Sequence, residues 1–325
     1  MKIAAIVPCY KSKKQVLDVL RAIGPIVSMI FVIDDKCPQQ TGQFVEENFD
    51  DPRLKVIFHQ KNLGVGGAVI TGYYAVLEAE YDIAVKIDSD GQMDPALIPI
   101  FVQSIIEGHA DYTKGNRFFS PKHVTTMPIQ RLIGNAGLSF MTKFSSGYWS
   151  NFDPTNGYTA IHRTALELLD LEKLEKRYFF ESDILMRLNT IRAVVQDIPM
   201  QAVYKDEESG LSLFTEIIPF AWKNFRNFNK RVFYNYFLRN FSIASVNLIF
   251  GTILFLSGVI LGASFWINSL ITHVVTTAGS AALVVVLLII GFQLLINFLS
   301  FDFSHEPTTS LQKTMDYNFQ STSLL

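Results

Sequence analysis

Tyr81-Asp-Ile-Ala-Val-Lys-Ile-Asp-Ser-Asp-Gly-Gln-Met-Asp-Pro95 joins a short apolar run to a cluster of oxygen-bearing side chains. Ile83 to Ile87 has the length and Val/Ile content of a buried strand. Directly after it, Asp88 and Asp90 lie two apart, and Gln92 and Asp94 continue that spacing past Gly91. Carboxylates crowded at a strand end repel one another unless a cation shares them. Hard oxygen ligands suit Mg²⁺ or Mn²⁺, which keep waters and substrate phosphates as their remaining ligands. The same residues also read as a solvated acidic turn, because Asp94-Pro95 ahead of Ala96-Leu97 is a good helix start. Taken alone, the stretch supports both readings equally.

Upstream, short apolar runs alternate with helical patterns. Strands are predicted at Ile3 to Val7, Met29 to Ile33, Leu54 to Phe58 and Asp82 to Ile87, with helices over Lys13 to Ile23, Gly42 to Asn48 and Val65 to Glu80. Continuous Val/Ile runs point to strands buried on both faces, hence an α/β fold with a mostly parallel sheet and helices on both sides. Ligand sites in such sheets lie at the carboxyl ends of the strands. Pro8-Cys9-Tyr10, Asp34-Asp35, Asn62-Leu63-Gly64 and Asp88-Ser89-Asp90 all fall at those ends. Lys61-Asn-Leu-Gly-Val-Gly-Gly-Ala68 reads in two ways. Its glycines either present backbone N–H groups to a phosphate or let a helix pack closely. Val69 stands where a dinucleotide fingerprint needs its third glycine and the turn follows the third strand, so a Rossmann dehydrogenase fits poorly; no G-x-x-x-x-G-K-[ST] loop is present, which excludes P-loop NTPases.

The 325 residues suffice for a full domain plus a further segment, and a net charge of −2 excludes a nucleic-acid partner recognised by bulk basicity. Two cysteines, Cys9 and Cys37, are too few for a disulfide framework and read as free thiols. The apolar start, Met1 to Val7, runs into Pro8 and Lys11 and is too short for a cleaved signal peptide.

Four motifs in order resemble the family 2, GT-A-type glycosyltransferases, and among them the dolichol-phosphate mannose synthase-like enzymes. These are Ile6-Val-Pro-Cys-Tyr10, Phe31-Val-Ile-Asp-Asp35, the Asn62 to Gly72 segment, and Asp88-Ser-Asp-Gly-Gln92. The resemblance implies a GT-A fold that moves a sugar from a nucleotide-diphosphate donor to a polyprenyl phosphate. It implies that Pro8, Tyr10, Ile33, Asp35, Gly66, Asp88 and Ser89 meet the donor nucleotide, and that Asp88, Asp90 and Gln92 hold Mg²⁺ or Mn²⁺. Lys114-Gly-Asn-Arg117 and the helix bearing Arg131 look like the family's two phosphate-holding arginine segments. A guanidinium suits phosphate geometry; the alternative for each is a surface ion pair. Asp153-Pro-Thr-Asn-Gly157 looks like the loop beside the reacting centre, with Asp153 orienting sugar or acceptor. Glu181 and Asp183 resemble an acidic pair near the donor sugar, or else serve as anions in a first helical turn. Ile198-Pro199 through Lys205 to Ser212 looks like a terminal loop that closes over the donor, with Lys205 in place of the family's arginine. The loop Lys36 to Gly42 departs from the family pattern and identifies no nucleotide.

From Leu213 the composition changes. Phe214, Ile218, Ala221, Phe225, Phe228, Val232 and Tyr236 mark one apolar helical face, interrupted by Pro219, among Lys223, Arg226, Lys230, Arg231 and Arg239. Such a segment fits a membrane–water interface. Phe241 to Trp266 and about Val274 to Phe301 are each long enough to span a bilayer. The preceding basic residues put that end, the catalytic domain and the tail on the cytoplasmic side. The expected division is a catalytic domain over 1–212, a juxtamembrane segment over 213–240, two spans within 241–301 and a flexible tail over 302–325. Membrane lipids are therefore expected partners, and relatives that assemble through their membrane helices imply a homo-oligomer. The expected reaction is inverting transfer of a hexose-type sugar from a UDP- or GDP-linked donor to undecaprenyl or dolichyl phosphate. Two other readings are glycosylation of another lipid or a growing polysaccharide, and non-catalytic binding of nucleotide sugars.

Overall fold

Along β1 (Ile3–Cys9), side chains alternate between two hydrophobic layers. Ala4 and Ile6 enter one, while Ile3, Ala5, Val7 and Cys9 enter the other. Period-two alternation with both faces apolar requires cover on both sides of a sheet. The chain supplies it with β2 (Met29–Asp34), β3 (Leu54–Phe58) and β4 (Ile83–Lys86), separated by α1 (Val16–Ala22), α2 (Thr41–Asn48) and α3 (Val65–Glu78). Next come α4 (Ile98–Ile106), β5 (Tyr112–Asn116), α5 (Ile129–Ser146), β6 (Thr159–His162), α6 (Arg163–Leu168), α7 (Phe180–Thr190) and β7 (Val195–Pro199). The seven strands pair in the order β3-β2-β1-β4-β6-β5-β7. All pairings are parallel except the two made by β6. This is the expected mostly parallel α/β sheet. The computed structural model describes residues 1–119, 129–201 and 213–315, without the side chains of Ile129, Gln130, Arg131, Ile133 and 213–217.

The chain divides into two units: Met1–Arg231 with the segment from Pro307 onward, and Val232–Glu306. The first therefore extends beyond residue 212, through most of α8 (Leu213–Phe233). Helix α8 runs through Pro219 rather than starting or breaking there. Its buried face is largely polar: Phe220, Asn224, Asn227 and Arg231 recur at helical spacing. Asn227 Nδ2 donates to Asp183 Oδ1 at 2.8 Å, Ser145 Oγ to Asn224 Oδ1 at 2.6 Å, and Arg231 to the carbonyls of Phe144 and Ser145 at the end of α5. Lys223 and Arg226 face Glu175. Part of the basic character read as lipid-binding is thus used within the protein. The outward face carries Ile218, Trp222 and Phe225, each more than half exposed.

Residues 310–315, expected in a flexible tail, are instead seated on the first unit. Ser310 Oγ donates to Gly108 O at 2.7 Å, and Leu311 N–H to both oxygens of Asp111 at 2.9 and 3.0 Å. Gln312 Nε2 reaches Ile105 O at 2.9 Å and Ala110 O at 3.2 Å. Leu311 is buried in the layer that holds α3 and α7. The polar composition suggested solvent, but one leucine and a buried carboxylate suffice to hold a single helical turn. Leu311→Ala should cost about 2 kcal/mol, or about 4–8 °C in the melting of a unit this size. Met315→Ala, at an exposed position, should leave the thermal melt unchanged.

In the second unit, α9 (Ile243–Thr272) and α10 (Ala278–Ser304) contain 18-residue stretches with mean hydropathies of 2.2 and 2.7 and are long and apolar enough to cross a membrane. Their backbones approach closely, since a Cβ at Gly291 would collide with the Phe255 N–H. Buried Tyr236 donates to Asp302 Oδ1 at 2.6 Å within this unit, so the acid at the end of α10 is neither solvated nor unpartnered.

Candidate active site

The connections from β1 run outward through β2 to β3, whereas β4 lies on the other flank of β1. The strand order therefore reverses between β1 and β4, and open α/β sheets bind ligands at the carboxyl ends of such a pair. Tyr10 follows β1 there, and Asp88 and Asp90 follow β4. Ser89 Oγ bonds Pro8 O and Ser12 Oγ, both at 2.7 Å, and stitches the two strand ends together. Pro8 and Ser89, expected on the nucleotide, are buried and form the floor of the crevice. Tyr10 is 48 % exposed, with the Lys11 ammonium over its ring at 5.4 Å from the centroid.

The Asp88 side chain is 29 % exposed, and Asp90 and Gln92 are half-buried. Asp90 Oδ1 accepts the Gln92 N–H at 2.9 Å, which bends the backbone after the strand. Among the described residues, no cluster of three or more His, Cys, Asp or Glu could hold a metal. The chain thus offers two hard carboxylates and one amide oxygen in partial contact with solvent. That donor set fits Mg²⁺ or Mn²⁺, whose other ligands are water and substrate phosphate. The capped-turn reading belongs to the next carboxylate along, since Asp94 Oδ1 accepts the Ala96 N–H at 2.9 Å.

Beneath this pair lies Lys86, 2 % exposed, which the sequence reading passed over. Its ammonium is 2.9 Å from Asp88 Oδ1 and 3.4 Å from Glu181 Oε1 in the first turn of α7. Burial alone would drive it toward neutrality, but Asp88 and Glu181 together hold it above the usual lysine range. The signal in the sequence was a charged residue at an inward position of an otherwise apolar strand. The β4–β6 register sets Lys86 opposite Thr159, so the chain ahead of β6 runs beside the carboxylates. A Cβ at Gly157 would collide with Lys86 Nζ and lie 2.8 Å from Asp88 Oδ2.

Arg117 and Asp153, expected as separate catalytic groups, are partners. Arg117 Nε and its backbone N–H donate to Asp153 Oδ2 at 2.7 and 3.0 Å, and a guanidinium NH₂ donates to Oδ1 at 2.7 Å. The Asp153 side chain is fully buried, while that of Arg117 is 21 % exposed. Burial would lift the Asp153 carboxyl, but the Arg117 guanidinium outweighs it and holds it below the usual carboxylate range. The carboxylate therefore aims the guanidinium and does not itself reach the crevice. The side chain of Arg131, on α5, and the whole of Lys205 and the 202–212 loop lie outside the described residues.

On the β2 side the expected nucleotide contacts are turned inward. Ile33 is fully buried in the core, because its position in the alternation faces α3 rather than the crevice. Asp35 accepts the N–H groups of Leu63 and Gly64 at 2.7 and 2.8 Å, and His59 Nδ1 lies 2.8 Å from it. It is a pillar of the glycine turn, with 4 % of its side chain exposed. Asp34 is used likewise, accepting from Cys37 N and Gly42 N, both at 2.7 Å. Gly66 packs under the 175–180 segment: a Cβ would lie 2.5 Å from Glu175 O and 2.8 Å from Phe180 Cβ. Close packing alone is enough to require glycine here. Gly66→Ala should destabilise the protein by about 1–3 kcal/mol through overpacking, despite alanine's helix preference, as a thermal melt will show. Asp183 is also inward, accepting from Glu175 N, Arg187 Nε and Asn227 Nδ2.

Residues 4–169 match the sequence profile described as Glycosyl transferase family 2. A UDP-N-acetylglucosamine–dolichyl-phosphate N-acetylglucosaminyltransferase from Methanococcus voltae is 30 % identical over 215 residues, covering 62 % of this chain and 85 % of that protein. An undecaprenyl-phosphate mannosyltransferase from Micrococcus luteus is 27 % identical over 210 residues, 63 % of this chain and 85 % of its own length. Among solved structures, glucosyl-3-phosphoglycerate synthase from Mycobacterium tuberculosis, with Mn²⁺, uridine diphosphate and phosphoglyceric acid, superposes with a TM-score of 0.53 at 15 % identity. It covers 71 % of this chain and 78 % of that one, and shares the fold.

Proposed function

Because this chain belongs to glycosyl transferase family 2, we propose that it moves a hexose-type sugar from a UDP- or GDP-linked donor onto a polyprenyl phosphate, undecaprenyl or dolichyl, with inversion at the anomeric carbon. The observation that carries this reading is the open Asp88–Asp90 pair at the β1/β4 crevice. Its support is chemical: two carboxylates beside an exposed tyrosine suit a diphosphate shared with a divalent cation, next to a planar base. The two relatives named above carry polyprenyl-phosphate acceptors in their names.

In this reading Tyr10 takes the base, and Asp88, Asp90 and Gln92 hold Mg²⁺ or Mn²⁺, which would supply Lewis-acid neutralisation of the leaving diphosphate. Arg117, aimed by Asp153, and Arg131 hold phosphate oxygens. The acceptor phosphate oxygen forms its bond to the anomeric carbon as the bond to the nucleoside diphosphate breaks, and the electron pair leaves on the diphosphate. A phosphate monoester, with a second pKa of about 6, is already largely anionic at neutral pH, so no general base is required. Asp153, buried against Arg117, is not asked to be one.

The same reading makes the protein an integral membrane enzyme. Helix α8 turns polar residues to the domain and Ile218, Trp222 and Phe225 outward, which suits the interface where a lipid phosphate lies. Helices α9 and α10 serve as the two spans, with the catalytic unit cytoplasmic. Membranes incubated with radiolabelled nucleotide sugars and undecaprenyl or dolichyl phosphate test the reaction. Label in an organic-extractable, acid-labile lipid is expected. Label in polymer, or no transfer from any donor, would overturn it.

A further inference from the structure

Lys86 shares its face of β4 with Ala84, which lies in the core, yet its Nζ emerges where four segments meet. These are the end of β4 at Asp88, the first turn of α7 at Glu181, the 153–157 loop at Gly157, and the antiparallel strand β6. Glu181 and Asp88 are 93 residues apart in sequence, and the shared ammonium joins them. Glu181 is largely buried, with 13 % of its side chain exposed. A lysine held by two carboxylates on a buried strand face is costly to build, and Ile, Val or Ala fills the other positions of β4.

We propose that Lys86 is a positioning residue for donor binding: its ammonium ties Asp88 to Glu181 and fixes the charge that the carboxylate pair presents to a divalent cation. The inference rests on the metal reading of Asp88 and Asp90 and goes beyond it. The Lys86 ammonium offsets part of the negative charge that Asp88 and Glu181 bring to this end of β4. Lys86 occupies Asp88 Oδ1 and leaves Oδ2 toward Gly157. It also keeps Glu181 from closing on the cation as an extra ligand. Without the ammonium, the site would hold a bare cation more tightly and present it to the diphosphate in the wrong place. Tighter metal binding together with slower transfer distinguishes this role from simple structural support.

The test is Mn²⁺ titration of the detergent-solubilised full chain, without nucleotide, followed by electron paramagnetic resonance, alongside transfer assays and thermal melts. Lys86→Met should bind Mn²⁺ roughly tenfold more tightly, since a like charge close to the ion is removed. Its transfer should fall roughly 100-fold through misplacement of reacting groups. Glu181→Gln should move Mn²⁺ affinity the other way, because Lys86 then turns wholly on Asp88. The double variant should return Mn²⁺ affinity toward wild type and recover part of the transfer lost in Lys86→Met. If Lys86→Met does not fold, the sign of the Glu181→Gln shift decides. Mn²⁺ affinity unchanged or weakened in Lys86→Met, or tightened in Glu181→Gln, overturns the proposal. Asp90→Asn separates the premise: Mn²⁺ binding identical in wild type and Asp90→Asn overturns the metal site itself, and the proposal with it.

Discussion

Asp90→Asn is expected to keep the fold and lose sugar transfer by about 10³-fold. In the proposed metal site, loss of a charge that helps hold a Lewis acid is worth several kcal/mol in the transition state, and each 1.36 kcal/mol is a factor of ten. The fold should survive because the bond that shapes the turn runs from Gln92 N–H to Asp90 Oδ1, and an amide oxygen accepts it equally well. Asp90 also lies outside both hydrophobic layers, in partial contact with solvent. The measurement is the initial transfer rate over a Mn²⁺ series, with a thermal melt as the control for folding. Chelation of the wild-type enzyme should reproduce the loss, and excess Mn²⁺ or Mg²⁺ should reverse it. Full activity in Asp90→Asn would defeat the metal assignment.

Asp153→Asn should injure stability and activity together. Asp153 has φ = +58°, a left-handed conformation that asparagine tolerates better than other non-glycine residues. The substitution therefore tests the charge and not the backbone. Removing one partner of a buried ion pair leaves the other uncompensated, and with Arg117 partly exposed the cost falls at the low end, about 3 kcal/mol. For a unit of this size that is about 6–12 °C in melting temperature. Transfer should also fall, because the guanidinium loses the two-pronged support that aims it. The pH dependence has a definite sign. The folded pKa of Asp153 is depressed, so its contribution is present above the unfolded value of about 3.9 and is lost as pH falls through the folded value. Wild type should therefore lose stability on acidification below about pH 4, and Asp153→Asn should lose less over the same window. Equal acid sensitivity in the two proteins would remove Asp153 from the account.

These two positions illustrate how differently the sequence spoke. Asp90 stood out because strand and carboxylates are contiguous. An apolar run ending in carboxylates two apart is a local pattern, and its place at a sheet edge follows from neighbouring strand runs of the same kind. Asp153 was legible as a residue of interest, but its pairing with Arg117 was not. Nothing local tells that its carboxylate faces Arg117 rather than substrate. The partners of Asp35 and Gly66 were hidden for the same reason. A strand-end aspartate and a glycine turn look alike whether they meet a nucleotide or each other, and here Asp35 holds the turn while Glu175 and Phe180 fill the space above Gly66. Ile33, set on the nucleotide by the resemblance, is packed in the core.

The sequence by itself determined the alternation of buried strands and helices, the carboxylate pair at the end of β4, and two helices of membrane-crossing length. Each is written in residues within a few turns or strand steps of one another, where periodicity and hydropathy act. The tertiary structure decided what depends on residues far apart in the chain. Examples are the antiparallel insertion of β6 beside β4, the Arg117–Asp153 pair, and the seating of Leu311 on Asp111. It also decided which face of α8 turns inward and the meeting of Asp88 with Glu181 on Lys86. The reason is physical: strand register and the docking of distant segments are fixed by complementary packing and charge satisfaction in three dimensions, which no local pattern encodes. The sequence showed where two carboxylates stand; only the fold showed the buried ammonium beneath them.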